Sequence, residues 1–172
     1  ECGHRGGYME IRNVPDDVLA QFVKMQSISL CANLDGQFAT YLLVAPPQPG
    51  DESYELYIKE RSDILASLKH RAGILALGVN SIRGMSLDRP QGAMYGFVRF
   101  ELPWPKGSNP DTMTPQERQA AESKMDSDYC HALLEETGIG VVPGTGFRQM
   151  PGTLHFRTTF LPPQDEIEHL VV

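Results

Sequence analysis

Residues 45–53 read APPQPGDES, and this stretch constrains the fold more than any other feature of the sequence. Proline lacks a backbone amide hydrogen and clashes with a preceding helical turn, so it interrupts regular structure. Three prolines and one glycine within residues 45–50 therefore end any helix or strand that reaches them. We predict two regions, one over residues 1–50 and one over 51–172.

The second region shows the patterns of a compact α+β layer. Apolar residues recur at steps of three and four from Asp51 to about Arg71, which is typical of an amphipathic helix. The sequence TLHFRTTF at 153–160 alternates between two faces, as a strand does. In chain order we predict a helix over 51–71 that extends past or breaks near Gly78, a strand over 93–102, a helix over 114–136, a short buried strand and glycine turn within 139–147, a strand over 153–160, and a helix starting near 162.

The helix over 114–136 has clear signals at both ends. TPQE at 114–117 is a capping-box pattern with proline at the first helical position. Gly138 follows the last periodic residues and predicts the end of the helix.

The first region contains fewer elements. YMEIRN at 8–13 predicts a short strand, and Pro15 with two aspartates predicts the start of a helix that reaches about Cys31. NLDG at 33–36 predicts a turn, and the mostly apolar residues 36–45 predict a helix buried on most sides. A lone strand has no sheet to join, so this region looks like part of a larger domain.

Composition excludes some functions. The net charge is −7, which argues against a nucleic acid or an anionic membrane as the main partner. No run approaches the length of a membrane-spanning helix, and no leader sequence is visible. The three cysteines are expected to be reduced thiols of an intracellular protein, and the histidines show no metal-binding spacing, so we expect no metal site.

The sequence ECGHRGGY at residues 1–8 raises a first candidate site. Gly3, Gly6 and Gly7 would let the backbone come close to a ligand, and Arg5 would place a planar cation there for a phosphate or a carboxylate. The alternative is a flexible terminus with one solvated arginine.

Arg157 in the 153–160 strand is a second candidate. It falls with His155 and Thr159 on the face opposite Phe156. A rigidly held guanidinium suits the bidentate capture of a carboxylate. The alternative is an arginine on the solvated face of a sheet.

Five segments in order resemble the C-terminal part of alanine aminotransferases, which are fold-type I enzymes dependent on pyridoxal phosphate. They read ECGHRGGY, SLCANLDGQ, QGAMYGFVRFELP, LLEETGIGVVPGTGF and GTLHFRTTFLPP. The resemblance covers essentially the whole chain and implies an α/β fold. Residues 1–50 would be the C-terminal remnant of the large cofactor-binding domain, and residues 51–172 would be the small C-terminal α+β domain.

The resemblance also implies roles for single residues. The family's Schiff-base lysine precedes a glycine-rich segment whose arginine binds the cofactor phosphate. Arg5 matches that arginine, so the lysine is expected upstream of Glu1, and no catalytic residue is expected within this chain. Arg157 matches the arginine that pairs with the substrate α-carboxylate. PGTGF at 143–147 resembles the turn that shapes the substrate side of the pocket.

The implied reaction is L-alanine plus 2-oxoglutarate to pyruvate plus L-glutamate by a ping-pong route, with pyridoxal 5'-phosphate as the cofactor. The complete enzyme is expected to be a homodimer that takes amino acids and 2-oxo acids and binds neither nucleic acid nor membrane. Its expected compartment is cytoplasmic, with mitochondria as the alternative. The 172-residue chain alone is expected to be inactive.

Two other interpretations remain open. Arg5 and Arg157 would serve a related enzyme equally well, such as a glutamate–glyoxylate aminotransferase or an aminocyclopropane-carboxylate synthase. A non-catalytic module of the same small-domain fold, which binds a partner or an amino acid, is the other alternative.

Overall fold

The computed structural model describes residues 4–170, and these residues group into two compact units. The first unit ends at Arg61 and the second starts at Ser62. The predicted boundary between a large-domain remnant (1–50) and a small domain (51–172) is not tested by this division and stays a prediction. No helix within residues 4–170 has the length and apolar character needed to cross a lipid bilayer.

The first unit is helical. It holds α1 (Asp16–Ser27), α2 (Leu34–Val44) and the first residues of α3 (Tyr54–Ser81), which continues into the second unit. The predicted start of α1 is confirmed, because Pro15 precedes it and two aspartates occupy its first turn, near the positive end of the helix dipole. The break at 45–53 is also confirmed, since no helix or strand includes these residues.

Three expectations for the first region are wrong. Residues 8–13 form no strand, and no partner strand exists for them within residues 4–61. Asn33 does not open a turn but caps α2, where its side chain accepts a hydrogen bond from the amide of Gly36. The helix that follows is not buried: Phe38 and Tyr41 are 68% and 66% exposed.

The second unit contains one four-stranded antiparallel sheet in the order β1-β2-β4-β3. Its strands are β1 (Met85–Ser86), β2 (Tyr95–Phe100), β3 (Val142–Pro143) and β4 (Leu154–Thr159). The predicted strands over 93–102 and 153–160 are thereby confirmed. The short strand in 139–147 is confirmed as β3, but Val142 in it is exposed rather than buried.

The described part of the second unit also contains the α-helices α4 (Pro115–Thr137) and α5 (Gln164–Leu170). The capping box of α4 forms as predicted between Thr114 and Glu117. Gly138 ends the helix at φ 76°, a backbone conformation that glycine adopts without a steric cost.

The core lies on one face of the sheet. Side chains from β2 and β4 pack there against α3, α4 and α5, and each fully buried aliphatic or aromatic side chain stabilises the fold by about 1.5–3 kcal/mol. The members of this core include Ala72, Leu75, Ala76, Val79, Val98, Phe100, Met125, Cys130, Leu154, Phe156 and Ile167. Alternation along the strands leaves the opposite face with Tyr95, Phe97, Arg99, His155, Arg157 and Thr159.

Candidate functional site

Arg157 lies on the open face of the sheet, as the alternation in β4 predicts. Its strand, β4, lies between β2 and β3 in the sheet. Arg157 is paired with Phe97 of β2 on one side and with Val142 of β3 on the other. A side chain in the middle of a paired strand has a fixed origin and direction, which an arginine in a loop does not have.

Two aromatic rings contact the Arg157 guanidinium. Its Cζ atom lies 4.4 Å from the centroid of the Tyr95 ring and 4.8 Å from that of Phe147. Each such contact contributes about 0.5–1 kcal/mol at exposed sites and favours a guanidinium that lies over the ring face. The two rings therefore limit how the guanidinium plane can turn.

The guanidinium edge is available for a ligand. Within residues 4–170, no carboxylate lies within salt-bridge distance of Arg157 and its N–H groups have no hydrogen-bond acceptor. An oriented, unneutralised guanidinium can bind a carboxylate through two parallel hydrogen bonds.

Phe147 comes from a tight 3₁₀ turn at Gly144–Phe147, which follows β3 directly. Asp126 of α4 holds this turn and has no exposed surface. Its Oδ2 atom accepts hydrogen bonds from the Thr145 amide at 3.1 Å, from the Thr145 hydroxyl at 2.6 Å and from the Gln149 amide nitrogen. The turn at 143–147, which the sequence resemblance singled out, is therefore held in place by hydrogen bonds to the buried Asp126 carboxylate.

Glu122 lies one helical turn before Asp126 and is also buried. Its Oε2 atom accepts a hydrogen bond from the amide of Gly152 at 3.0 Å, and its Oε1 atom accepts one from Arg118 at 2.9 Å. Two carboxylates of one helix thus hold both ends of the segment between β3 and β4.

His155 connects this segment to the sheet. Its Nδ1 atom lies 2.9 Å from Oε1 of Gln149, and its ring stacks on Phe97 with centroids 4.6 Å apart. Burial lowers the pKa of His155 below the usual histidine value; the Asp126 carboxylate raises this pKa, and the Arg99 charge lowers it. A neutral imidazole with a proton on Nδ1 fits both the lowered pKa and the contact with the Gln149 oxygen.

Sequence reasoning missed Asp126 and Glu122. The apolar positions of α4 include Ala121 and Met125, and each acid directly follows one of them in the sequence. An acidic pair four residues apart beside the buried face was the available signal, because buried carboxylates require hydrogen-bond donors.

Arg5 lies in the first unit and is exposed. Its backbone has a positive φ of 48°, and its carbonyl oxygen accepts a hydrogen bond from the Asn33 side chain at 3.2 Å. Within residues 4–170, no acidic side chain pairs with its guanidinium. Of the three glycines singled out around Arg5, Gly3 lies outside the described residues.

The backbone at Gly6 packs closely against the backbone at Gly36, and the approach to a ligand that the glycine-rich segment suggested stays a prediction. A Cβ atom at Gly6 would lie 2.1 Å from the Gly36 carbonyl oxygen, and one at Gly36 would lie 2.9 Å from that of Arg5. The approach joins the first and second segments of the sequence resemblance to each other. Arg5 is held by this contact while its side chain remains exposed.

A metal centre finds no support in the described part of the chain. Within residues 4–170, no three His, Cys, Asp or Glu side chains come together in a group that could hold a metal ion.

Comparison with curated proteins finds relatives along the whole chain. The chain is 46% identical over 171 residues to alanine aminotransferase 1, mitochondrial, of Arabidopsis thaliana. The matched region covers 99% of this chain and 30% of that protein. It is 45% identical over 163 residues to the inactive alanine aminotransferase of Saccharomyces cerevisiae, covering 95% and 31%. It is 41% identical over 171 residues to glutamate–glyoxylate aminotransferase 1 of Arabidopsis thaliana, covering 99% and 34%.

Solved structures agree on the fold. An alanine aminotransferase from Pyrococcus furiosus matches with a TM-score of 0.57 and 26% identity, over 91% of this chain and 34% of that one. An aspartate aminotransferase from Rhizobium meliloti matches with a TM-score of 0.54 and 24% identity, over the same shares, and supports the fold alone. No protein-family model matches the chain.

The predicted resemblance to alanine aminotransferases and the predicted α/β fold class are confirmed by these comparisons. The chain spans about a third of the length of the curated relatives it matches. The chain is therefore similar to about a third of an aminotransferase, and the activity of the whole protein is a proposal.

Proposed function

We propose that the protein containing this chain is a pyridoxal-phosphate-dependent aminotransferase that converts L-alanine and 2-oxoglutarate to pyruvate and L-glutamate. The observation that carries the proposal is Arg157, an unneutralised guanidinium oriented by two rings at the position that matches the family's carboxylate-binding arginine. Similarity over 99% of the chain to a protein named alanine aminotransferase supports the choice of reaction.

Arg157 would bind the α-carboxylate of the amino acid and of the oxo acid in turn. The rings of Tyr95 and Phe147 would keep the guanidinium edge directed at the ligand, since both contact its face. Holding one end of the substrate in a fixed orientation lowers the entropic cost of reaching a reactive geometry.

The residues around Arg5 fit a phosphate group. The exposed guanidinium has no acidic partner within residues 4–170, and its backbone is fixed by Asn33 and by the Gly6–Gly36 approach. A phosphate is bound well by such a preset planar cation. Pyridoxal phosphate, when bound, supplies the electron sink that stabilises negative charge at the substrate Cα.

The first test is covalent trapping in the full protein. We would add pyridoxal phosphate, reduce with borohydride and locate the pyridoxyl-lysine by mass spectrometry of a digest. A label on a lysine just before the peptide that begins ECGHRGG is the expected result. A label within residues 1–172, or none, would overturn the assignment of Arg5. We expect the isolated 172-residue chain to form no pyruvate from L-alanine.

A related donor specificity is the second candidate. The similarity to a glutamate–glyoxylate aminotransferase at 41% identity favours it over other members of the superfamily. Arg157 would act in the same way for L-glutamate. Initial rates with L-alanine and 2-oxoglutarate, compared with L-glutamate and glyoxylate, separate the two candidates in the full protein.

A non-catalytic protein that binds an amino acid or a partner is the third candidate. One relative carries the word inactive in its name, so similarity at 45% identity does not by itself guarantee turnover. Binding of L-alanine without pyruvate formation in the purified, unreduced full protein would favour this alternative.

Assembly and compartment are further proposals. We expect a homodimer, which sedimentation of the full protein tests. The cytoplasm was the compartment expected from the sequence, but the relative from Arabidopsis thaliana is named mitochondrial, which supports mitochondria instead. Imaging of the full-length protein with a C-terminal fluorescent tag distinguishes the two compartments.

A further inference from the structure

The buried carboxylate of Asp126 lies far along the chain from Arg157 in sequence, yet two chains of contacts connect them. The first runs through the 3₁₀ turn. Asp126 accepts two hydrogen bonds from Thr145, and Phe147 of the same turn lies against the Arg157 guanidinium.

The second chain of contacts runs through side chains. Gln149 donates to Asp126 from its nitrogen and contacts His155 through its oxygen. His155 stacks on Phe97, with the two planes 7° apart. Phe97 is the cross-strand partner of Arg157, and it also meets the Phe147 ring edge-on at 5.8 Å.

Asp126 is well suited to hold both chains. Charge-assisted hydrogen bonds are roughly twice as strong as neutral ones, and three of them converge on one oxygen of Asp126. Its other oxygen, Oδ1, is buried and has no hydrogen-bond partner within residues 4–170. Within these residues, all the hydrogen bonds that the carboxylate accepts therefore come from Thr145 and Gln149. In a buried network of this kind the hydrogen bonds strengthen one another, so the loss of one member weakens the rest.

We propose that Asp126 is a positioning residue for the carboxylate-binding site, acting through the turn at 144–147 and through Gln149 and His155 to hold Phe147 and Phe97 around Arg157. The proposal rests on the proposed function of Arg157. It assigns Asp126 no contact with the substrate.

The test uses the full holoenzyme with three variants. Asp126→Asn keeps the shape of the side chain but removes its charge. Asp128→Asn is the matched control, because Asp128 lies on the same helix, is exposed and, within residues 4–170, pairs only with Lys124. Arg157→Lys tests the proposed function itself. We would measure kcat and KM for L-alanine, the inhibition constant of propionate as an unreactive carboxylate, and amide hydrogen exchange of residues 144–150.

We expect Asp126→Asn to raise the KM for L-alanine and the inhibition constant of propionate about tenfold, with a smaller change in kcat, because a displaced binding group loses its orientation. Hydrogen exchange of the turn should become faster in the same variant. Asp128→Asn should change none of these quantities. A folded Asp126→Asn enzyme with faster exchange but an unchanged KM and inhibition constant overturns the proposal.

The outcomes separate the two claims. If Arg157→Lys leaves the KM and the inhibition constant unchanged, the proposed function of Arg157 fails. If Arg157→Lys raises both and Asp126→Asn raises neither, only the positioning role fails. Should Asp126→Asn not fold, Thr145→Val and Thr145→Ser decide. The proposal is supported if Thr145→Val raises the KM while Thr145→Ser, which keeps the hydroxyl, has the KM of the parent protein. An unchanged KM in Thr145→Val overturns it.

Discussion

A Cβ atom added at Gly144 would lie 2.6 Å from the carbonyl oxygen of His155. The same atom would lie 2.4 Å from Oε1 of Gln149, so the turn packs against β4 with no room for a side chain. Gly144 is also the first residue of the turn that presents Phe147. The close packing of this glycine therefore sets the distance between the turn and the strand that carries Arg157.

Gly144→Ala should destabilise the fold and weaken substrate binding together. Overpacking of this kind lowers the free energy of unfolding by about 1–3 kcal/mol. The contacted atom of His155 is a backbone oxygen, which cannot move away without moving β4. Thermal unfolding and the KM for L-alanine of the full protein measure the two effects. Gly146→Ala is the control for stability, since a Cβ atom at Gly146 would meet nothing within 4 Å. Equal melting temperatures for the two variants would contradict the prediction.

The Tyr95 ring should contribute to substrate affinity through its face rather than its hydroxyl. Tyr95→Leu removes the ring and should raise the KM for L-alanine about two- to fivefold, the equivalent of one exposed cation–π contact. Tyr95→Phe keeps a ring at the same place and should remain close to the parent protein. Steady-state kinetics of both variants provide the measurement, and equal effects in the two would show that the hydroxyl, not the ring, matters.

Gly6 and Gly7 offer a matched pair for testing the proposed role of Arg5. Gly6→Ala would place a Cβ atom 2.1 Å from the Gly36 carbonyl, whereas Gly7→Ala would meet nothing within 4 Å. If Arg5 binds the cofactor phosphate, Gly6→Ala should displace it and raise the dissociation constant of pyridoxal phosphate about tenfold, as for a misplaced binding group. Gly7→Ala should not. Titration of the full apoprotein with the cofactor, followed by absorbance, decides between these results.

Local patterns predicted most of the second unit. The capping box at Thr114 and Glu117 and the alternation around Arg157 depend on neighbours in sequence, so the sequence alone was sufficient for α4 and β4. The candidate position of Arg157 on the open face followed from the same alternation. The division of roles between residues 1–50 and 51–172 stays a prediction.

Features that depend on distant partners were not predictable in this way. YMEIRN at 8–13 has strand-forming residues, but a strand needs a neighbour, and residues 4–61 provide none. No local pattern in the sequence marks Asp126 of α4 as buried. Its burial depends on the Thr145 and Gln149 donors, which lie in the segment between β3 and β4, far from Asp126 in sequence.

Stability should depend on pH through His155. Burial lowers its pKa in the folded protein below the ordinary value of 6.5. As the pH falls through about 6.5, the unfolded chain takes up a proton before the folded protein does. The unfolded state then binds more protons, so the free energy of unfolding decreases as the pH falls from 6.5 through the lower folded pKa. Urea unfolding between pH 8 and 5 should show this loss, and His155→Gln should show less of it than the control His131→Gln.

The charges around His155 predict the direction of two further changes. The Asp126 carboxylate raises the pKa of His155, and the Arg99 guanidinium lowers it. Asp126→Asn should therefore lower this pKa further, and Arg99→Gln should raise it toward the ordinary value, because each substitution removes one charge from the imidazole's surroundings. Histidine NMR titration of the three proteins measures the pKa directly. Shifts in the same direction for both variants would mean that changed burial, not charge, dominates, and would contradict the electrostatic explanation.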